Sequence, residues 1–392
     1  MNILIVKLSA IGDVLHTLPA LNALRRVFPQ ANITWLIEEA ASELILGHEA
    51  VDRVFVSKRK RWLKDICGKN RGLAFQAILA FVHDLRDTRY DIILDFQALL
   101  KSAMLITLAK GDRKIGYGRG MEHSEESWLF LNERIPAMDM NIHALTRNLM
   151  MLAPLGIFSQ ETEYRLPITP ADRDHANRLL SGTGRSSDQP VICINPVAKW
   201  ETKLWRNDRF ARLADVLMER TGAAIVFTGA MEDATIIENI RHQMKHPSLS
   251  TAGQTTLMVL AAIFERSNLL VTTDTGPMHL CAAVNTPVVA LFGPTAPWRT
   301  GPFGNAHRIV RTQLPCSPCF RRQCPTRACM DEIGVDQVLE QVEDLLVPQS
   351  VSSVTTAHQP AFHHASRLTG SSAGPGKCAG SKGTSTLTST GA

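Results

Sequence analysis

The sequence predicts an α/β protein built from two parallel-sheet domains. Three observations carry that expectation. Short, almost continuous apolar runs recur along the chain, each followed by residues with helical spacing. The alternation weakens between about Gly156 and Pro190, then starts again. At 392 residues the chain is also long for one domain. Strands apolar on both faces, alternating with helices, belong to parallel sheets covered on both sides.

In order, ILIVKL, ITWLIEE, RVFVS and DIILDF read as strands, with helices beginning at Val14, Ser42 and Leu99 between them. RLPITPADRDHANRLLSGTGRSSDQP holds one amphipathic helix and a polar Gly/Ser-rich stretch, and reads as the connection between domains. VICINP, AAIVFTGA, SLSTAG, NLLVTTDTG and PVVALFG then read as strands, with helices after Arg206, Glu232, Thr256 and Pro277. GVDQVLEQVEDLL is a closing amphipathic helix. The expected division is a domain at 1–165, a connection at 166–190, a domain at 191–347 and a tail at 348–392. That tail is rich in Ser, Thr, Gly and His, lacks periodicity, and is expected to be disordered.

Hydrophobic residues make up 45% and charged residues 20%, the balance of a globular protein with a sizeable core. The formal charge of +5 includes three positives, Arg367, Lys377 and Lys382, in a tail without acids, so the remainder carries no global nucleic-acid signature. No apolar run reaches the roughly 18–20 residues of a spanning helix. The chain opens on a strand pattern rather than a charged segment and an apolar run, so it is expected to be cytoplasmic. Its eight cysteines are then expected to be thiols or ligands.

Ligands of open parallel sheets sit where strands run into helices. Asp13 lies at the first such corner, where it can cap the helix or accept a proton from a substrate hydroxyl. Gly12 lets backbone come close, and His16 reads as a partly buried polar residue. The residues alone leave both readings of Asp13 open. A second corner, NLLVTTDTGPMHLCAA, turns through Asp274, Thr275 and Gly276, with Pro277 at the first helical position and His279 in the first turn. A helix N-terminus there suits a diphosphate, and Thr275 adds a hydroxyl. The alternative is an ordinary capped helix. INPVAKWETKLWRNDRF puts Lys199 and Lys203 on a loop where an ammonium can meet a phosphate. Trp200 and Trp205 can stack on a base or pack. In FTGAMED, Gly229 allows close approach, and Glu232 can bind a ribose hydroxyl or cap a helix.

These segments together resemble glycosyltransferase family 9, the heptosyltransferases of lipopolysaccharide core synthesis. ILIVKLSAIGDVLHTLPAL resembles its opening, and YDIILDFQALLKSA its Y-D-x-x-x-D-x-Q-G-x-x-K-S-A element, with Ala98 where Gly is usual. TDTGPMHLCAAVNTPVVALFGPTAP is similar to its D-T-G-x-x-H-L-A-A signature, and TKLWR to its K-x-W-P, with Arg206 in place of Pro. The resemblance covers roughly residues 1–346. The opening, with WLIEEA, is nearest the branch that adds the first heptose to the Kdo (3-deoxy-octulosonate) region of lipid A.

The resemblance implies a GT-B fold, two Rossmann-like domains facing across a cleft, the second binding ADP-heptose. It implies an inverting transfer in which Asp13 is the base and Lys203, with the helix start at Thr275 and Gly276, stabilises departing ADP. Asp274 and His279 match the donor signature and are read as placing the sugar or phosphate. With no D-x-D element in a donor loop, no metal and no cofactor are expected. Kdo-lipid A or inner-core lipopolysaccharide is the expected acceptor, at the cytoplasmic face of the inner membrane, for a monomer that binds no nucleic acid.

RVFVSKRKRWLKDICGKNR carries eight basic residues and one acid, Asp65. A solvated helix face is one reading. The other is an acceptor and membrane contact through Arg59, Lys60, Arg61 and Lys64, with Trp62 as an interfacial anchor. Lys101 and Arg113 are further acceptor candidates. CSPCFRRQCPTRAC spaces Cys316, Cys319, Cys324 and Cys329 as a zinc or iron–sulfur site would, but free thiols or loop packing are the preferred reading. Cys67, Cys193, Cys281 and Cys378 have no such spacing. The rival functions are another GT-B transferase or sugar-nucleotide epimerase, and a metal-bearing nucleic-acid-binding protein built on the basic run and these cysteines.

Overall fold

The computed structural model describes residues 1–346 apart from 69, 123, 185, 187 and 188. The tail expected to be disordered, 348–392, lies outside the described residues. The first set of elements is β1 (Asn2–Val6), α1 (Ile11–Leu15), α2 (Leu18–Val27), β2 (Asn32–Glu38), β3 (Arg53–Ser57), α3 (Arg59–Ile66), α4 (Arg71–Leu85), β4 (Arg89–Asp95), α5 (Leu100–Leu108), β5 (Lys110–Tyr117), β6 (Glu133–Ile135) and α6 (Ala144–Met150). After α7 (Pro170–Ser181) come β7 (Val191–Asn195), α8 (Asn207–Thr221), β8 (Ala224–Phe227), α9 (Ala234–Arg241), β9 (Leu249–Ser250), α10 (Leu257–Glu265), β10 (Leu269–Thr273) and α11 (Gly276–Ala283). The chain goes on through β11 (Val288–Phe292), α12 (Pro297–Thr300), β12 (Arg308–Arg311), α13 (Ala328–Asp331) and α14 (Val335–Leu346).

The strands form two six-stranded sheets, ordered β3-β2-β1-β4-β5-β6 and β12-β11-β10-β7-β8-β9. The pairings are parallel, with Ile3 opposite Ile33 and Ile92 in one sheet and Leu270 opposite Cys193 and Val288 in the other. In each sheet the strand order therefore reverses at one place, between β1 and β4 and between β7 and β10. Crevices for ligands open at the carboxyl ends of strands flanking such a point. All five residues of β7, β10 and β11 are buried, as parallel strands covered on both faces require.

Local chemistry accounts for the helix boundaries. Thr169 and Asp172 exchange capping bonds at the start of α7, with Pro170 as its first residue. Gly222 ends α8 with φ at +66°, in the left-handed region glycine enters without penalty. Three expectations change. The helix expected from Val14 starts at Ile11, stops at Leu15 and restarts as α2 at Leu18, with Pro19 as its second residue. The segment from Ser42 is the end of a 3-10 turn, Glu39–Leu44, not an α-helix. β5, β6 and β12 are strands the apolar pattern does not show, because β5 begins with exposed polar residues and the other two are short.

Candidate active site

The loop after β1 is tied to the loop after β4. Gln97 Oε1 accepts from the backbone N–H groups of Leu8 (2.8 Å) and Ser9 (3.0 Å). The buried Lys7 ammonium donates to the carbonyl of Phe96 at 2.9 Å. Asp95, at the end of β4, accepts from Gln97 N–H (3.0 Å), Ala98 N–H (3.2 Å) and Ser102 Oγ (3.0 Å). Burial nonetheless pushes the Asp95 carboxyl up to about 6. Ala98 has φ at +55°, which explains why glycine is the usual residue at this place in the resembling motif.

Asp13 is the third residue of α1, not its N-cap. Its Oδ2 accepts from the N–H of Ala10, the N-cap residue, at 2.9 Å. The capping reading is therefore met by one oxygen only. Oδ1 has no hydrogen-bond partner among the described residues, and Asp13 stands on the wall of a cavity of about 160 Å³ with Lys7, His16, Gln97, Tyr117 and Arg147.

The corner after β10 carries its own charges. Asp274 is buried, its Oδ2 lying 2.7 Å from the Lys203 ammonium and accepting from Thr295 Oγ1 at 2.6 Å. Lys203 also donates to the Asp274 carbonyl at 3.3 Å. The expected phosphate partner is thus held at the start of α11, but already paired. Thr275 is the N-cap, extended, with its hydroxyl making no capping bond. Gly276 is the first helical residue and Pro277 the second, one position on from expectation. Lys199 is exposed, and Trp200 lies under two cations, Lys203 at 4.6 Å and Arg322 at 4.9 Å from the ring centre. Trp205 is a packing residue, buried against Phe210 with its N–H donating to the Ile333 carbonyl at 2.9 Å.

At Gly229 a Cβ would lie 2.6 Å from Ile237 Cδ1 and 3.1 Å from Asp233 Cβ, so the glycine lets α9 come close to the end of β8. Asp233, not Glu232, supplies the capping bond, its carboxylate accepting from Ala230 N–H at 2.8 Å. Glu232 is left exposed on that turn.

The two corners abut. A Cβ on Gly12 would lie 2.5 Å from Cδ2 of His279, and one on Gly276 would lie 3.3 Å from Ile11. Both glycines thus let α1 and α11 meet. His279 is buried against α1, its Nδ1 lying 3.1 Å from Nε2 of His16. His143 packs edge-on to His16 at 5.0 Å, and its Nε2 lies 3.0 Å from the Gly301 carbonyl. Burial lowers the pKa of all three imidazoles, that of His143 to about 4; the charge of a neighbouring imidazole lowers His16 and His143 further, whereas Asp274 and Asp13 partly offset burial at His279. His16 is only 3% exposed, more buried than expected, and His279 packs against α1.

The acceptor candidates divide. Arg59 and Lys101 converge on Glu38 Oε1, at 3.4 and 3.3 Å, and Lys101 also donates to Ser9 Oγ at 2.7 Å. Lys60, Arg61 and Lys64 are exposed on α3, Arg61 lying 3.8 Å from Asp65. Arg113 pairs with Glu133 at 2.6 Å, on β5 and β6. Sequence reasoning missed Lys7 and Arg147. Lys7 is visible only as one charge inside an apolar strand run. Arg147 carries no signal: it is a buried guanidinium on the cavity whose one hydrogen-bond partner among the described residues is Met140 Sδ. The four spaced cysteines are free thiols, and among the described residues no three His, Cys, Asp or Glu side chains are arranged to hold a metal ion.

Comparison with known proteins agrees with this geometry. The family model of glycosyltransferase family 9 (heptosyltransferase) matches residues 78–329. Lipopolysaccharide heptosyltransferase 1 of Pseudomonas aeruginosa is 29% identical over 328 residues, 83% of this chain and 87% of that protein. The Escherichia coli K12 protein of the same name is 27% identical over 323 residues, 79% of this chain and 93% of its own. The solved structure of E. coli heptosyltransferase WaaC with ADP superposes with a TM-score of 0.69 at 25% identity, covering 88% of this chain and 100% of that one. The two facing parallel-sheet halves are thus the GT-B arrangement that the resemblance implied. The chain belongs to glycosyltransferase family 9 (heptosyltransferase) and is a glycosyltransferase.

Proposed function

We propose that this enzyme transfers heptose, with inversion, from ADP-heptose to the Kdo region of lipopolysaccharide, as heptosyltransferase I does. The observation that carries the reading is the unpartnered Oδ1 of Asp13 on the cavity wall, beside the start of α11. Residues 1–165 hold the acceptor, 166–190 connect, and 191–347 hold the donor. The acceptor hydroxyl gives its proton to Asp13 Oδ1 as its oxygen attacks the anomeric carbon. The bond from that carbon to the diphosphate oxygen breaks, and ADP leaves. Lys203 and the N–H groups opening α11 meet the charge that develops on the diphosphate. For Lys203 this means exchanging one Asp274 contact for a phosphate oxygen. Lys199 adds an exposed ammonium, Glu232 takes a ribose hydroxyl, and Asp274 and His279 hold the corner around the sugar. Lys7 and Arg147, cations inside the cavity, suit the carboxylate of Kdo. The chain acts as a monomer at the cytoplasmic face of the inner membrane and needs no metal.

The test is a mass-resolved assay with ADP-heptose and Kdo-lipid A in EDTA. The native enzyme adds one heptose. Asp13→Asn keeps ADP affinity and loses about 10²–10⁴-fold in turnover. Transfer by the variant at a near-native rate would remove Asp13 from the base role.

A further inference from the structure

One face of the first sheet is covered by α4, α5 and a 3-10 turn, Glu126–Phe130. Their inner side chains, among them Leu85, Ile106 and Trp128, pack on Leu4, Val6, Tyr90 and Ile93. The outer side of this layer is unusual. The α4 sequence RGLAFQAILAFVHDL is apolar nearly all round, yet only Ala74 and Leu85 are buried. A helix apolar on every side is ordinarily covered on every side. Here Leu73 is 69% exposed, Phe75 61% and Leu79 54%. The same layer exposes Met104 (68%) and Leu100 on α5, and Leu129 and Phe130 on the turn. α3, packed on α4 with Trp62 against Phe81 (5.1 Å between ring centres), adds exposed Leu63 and Ile66. Scattered exposed apolar residues need no explanation, but this many on one layer do.

The charge around this surface says what covers it. Lys58, Lys60, Arg61 and Lys64 are exposed on and beside α3, and Arg71 opens α4. The acid among the α3 residues, Asp65, lies opposite Arg61. A second copy docked through the same face about a two-fold axis would bring these cations against one another. An anionic bilayer complements both parts: acyl chains take the leucines and phenylalanines, and headgroup phosphates take the cations.

We propose that the outer face of α3, α4, α5 and the Glu126–Phe130 turn is the surface by which this enzyme docks on an anionic lipid membrane. The inference deepens, and in its purpose rests on, the reading of a lipid-borne acceptor. α3 begins with Arg59, whose guanidinium pairs with Glu38 at the carboxyl end of β2, the edge of the sheet that also carries Asp13. A sugar projecting from a docked membrane therefore meets the acceptor side of the cavity.

The test is co-sedimentation of the full chain with phosphatidylcholine vesicles, with and without phosphatidylglycerol. In parallel, turnover is measured on a deacylated, water-soluble acceptor. The native chain should bind the anionic vesicles and release in high salt. The triple variant Leu73→Ser, Phe75→Ser, Leu79→Ser should bind at least about tenfold more weakly, roughly 1.4 kcal/mol. Its turnover on the soluble acceptor should stay within about twofold. Should the triple variant not fold, Met104→Ser with Leu129→Ser must weaken binding in the same direction. Lys58→Gln with Arg71→Gln should reduce the salt dependence. A native chain that ignores vesicles but turns over soluble acceptor overturns the docking surface and leaves the function standing. A chain that binds vesicles but transfers nothing keeps the surface and overturns the function. A native dimer made monomeric by the triple variant, or equal vesicle binding by variant and native, overturns the lipid assignment.

Discussion

Nε2 of His16 and Nδ1 of His279 lie 3.1 Å apart, joining the helix after β1 to the helix after β10. His16 Nδ1 is buried without a partner, so it is best left unprotonated. That makes His16 Nε2 the donor and His279 Nδ1 the acceptor.

Acid should therefore weaken the seam. The imidazoles of His16, His143 and His279 have folded pKa values below the ordinary 6.5, through burial first, with a neighbouring imidazole repelling charge at His16 and His143 and with Lys7 and Arg147 adding positive charge near His16. A lowered value means stability that is present above 6.5 and lost as pH falls toward the folded value, about 4 for His143. Calorimetry between those limits should show a falling Tm, and His16→Gln should flatten the slope. An equal slope in the variant would mean other groups set it.

Asp95 works with the opposite sign. Its carboxyl is raised from 3.8 to about 6, so stability is lost as pH rises through that interval, on the order of 3 kcal/mol at neutral pH. Asp95→Asn keeps an oxygen for the N–H groups of Gln97 and Ala98. Ser102 Oγ then accepts from the new amide and turns its one proton from Asp95 to the Leu99 carbonyl, 2.7 Å away. The variant should be more stable than native at pH 7, less so at pH 4, and steeper in its loss with acid. Denaturant melts at the two pH values check this.

Gly12→Ala should jam the seam, because its methyl would arrive 2.5 Å from His279 Cδ2. Overpacking of this kind costs about 1–3 kcal/mol. We expect lower kcat/KM and a lower Tm, with Gly12→Ala, His279→Ala recovering part of the Tm. A strictly additive double variant would mean the two side chains do not meet.

Lys203→Met should remove a phosphate contact and strand the buried Asp274 carboxylate, which costs roughly 3–5 kcal/mol. Adding Asp274→Asn should restore stability but not ADP affinity. Calorimetric ADP titration and thermal melts of both variants separate the two effects. Recovered affinity in the double variant would deny Lys203 a role at the diphosphate.

Much of the fold is written in local pattern. β1, β2, β4, β7, β10 and β11 are apolar runs because both faces of each sheet are covered, and α8 and α11 follow β7 and β10 near the expected places. β5 escapes notice because Lys110, Asp112 and Lys114 interrupt it. Its pairing comes from β4, which it meets at Ile93–Lys114 and Leu94–Ile115. The docking surface was half visible: the cations of α3 stand out in the sequence, but an apolar α4 reads as core until its exposure is known.

The sequence alone determined the parallel strands, the two strand-to-helix corners and the acid and cation types gathered there, since each depends on residues within one turn or one strand of each other. Only the tertiary structure decided that Lys203 is paired with Asp274, that Gly229 serves α9, and that Arg147 enters the cavity beside Asp13. His16 and His279 are 263 residues apart, and their contact depends on two glycines letting two helices touch. No local period or cap encodes such a pairing, because the energy that selects it comes from packing two separately formed sheets against each other.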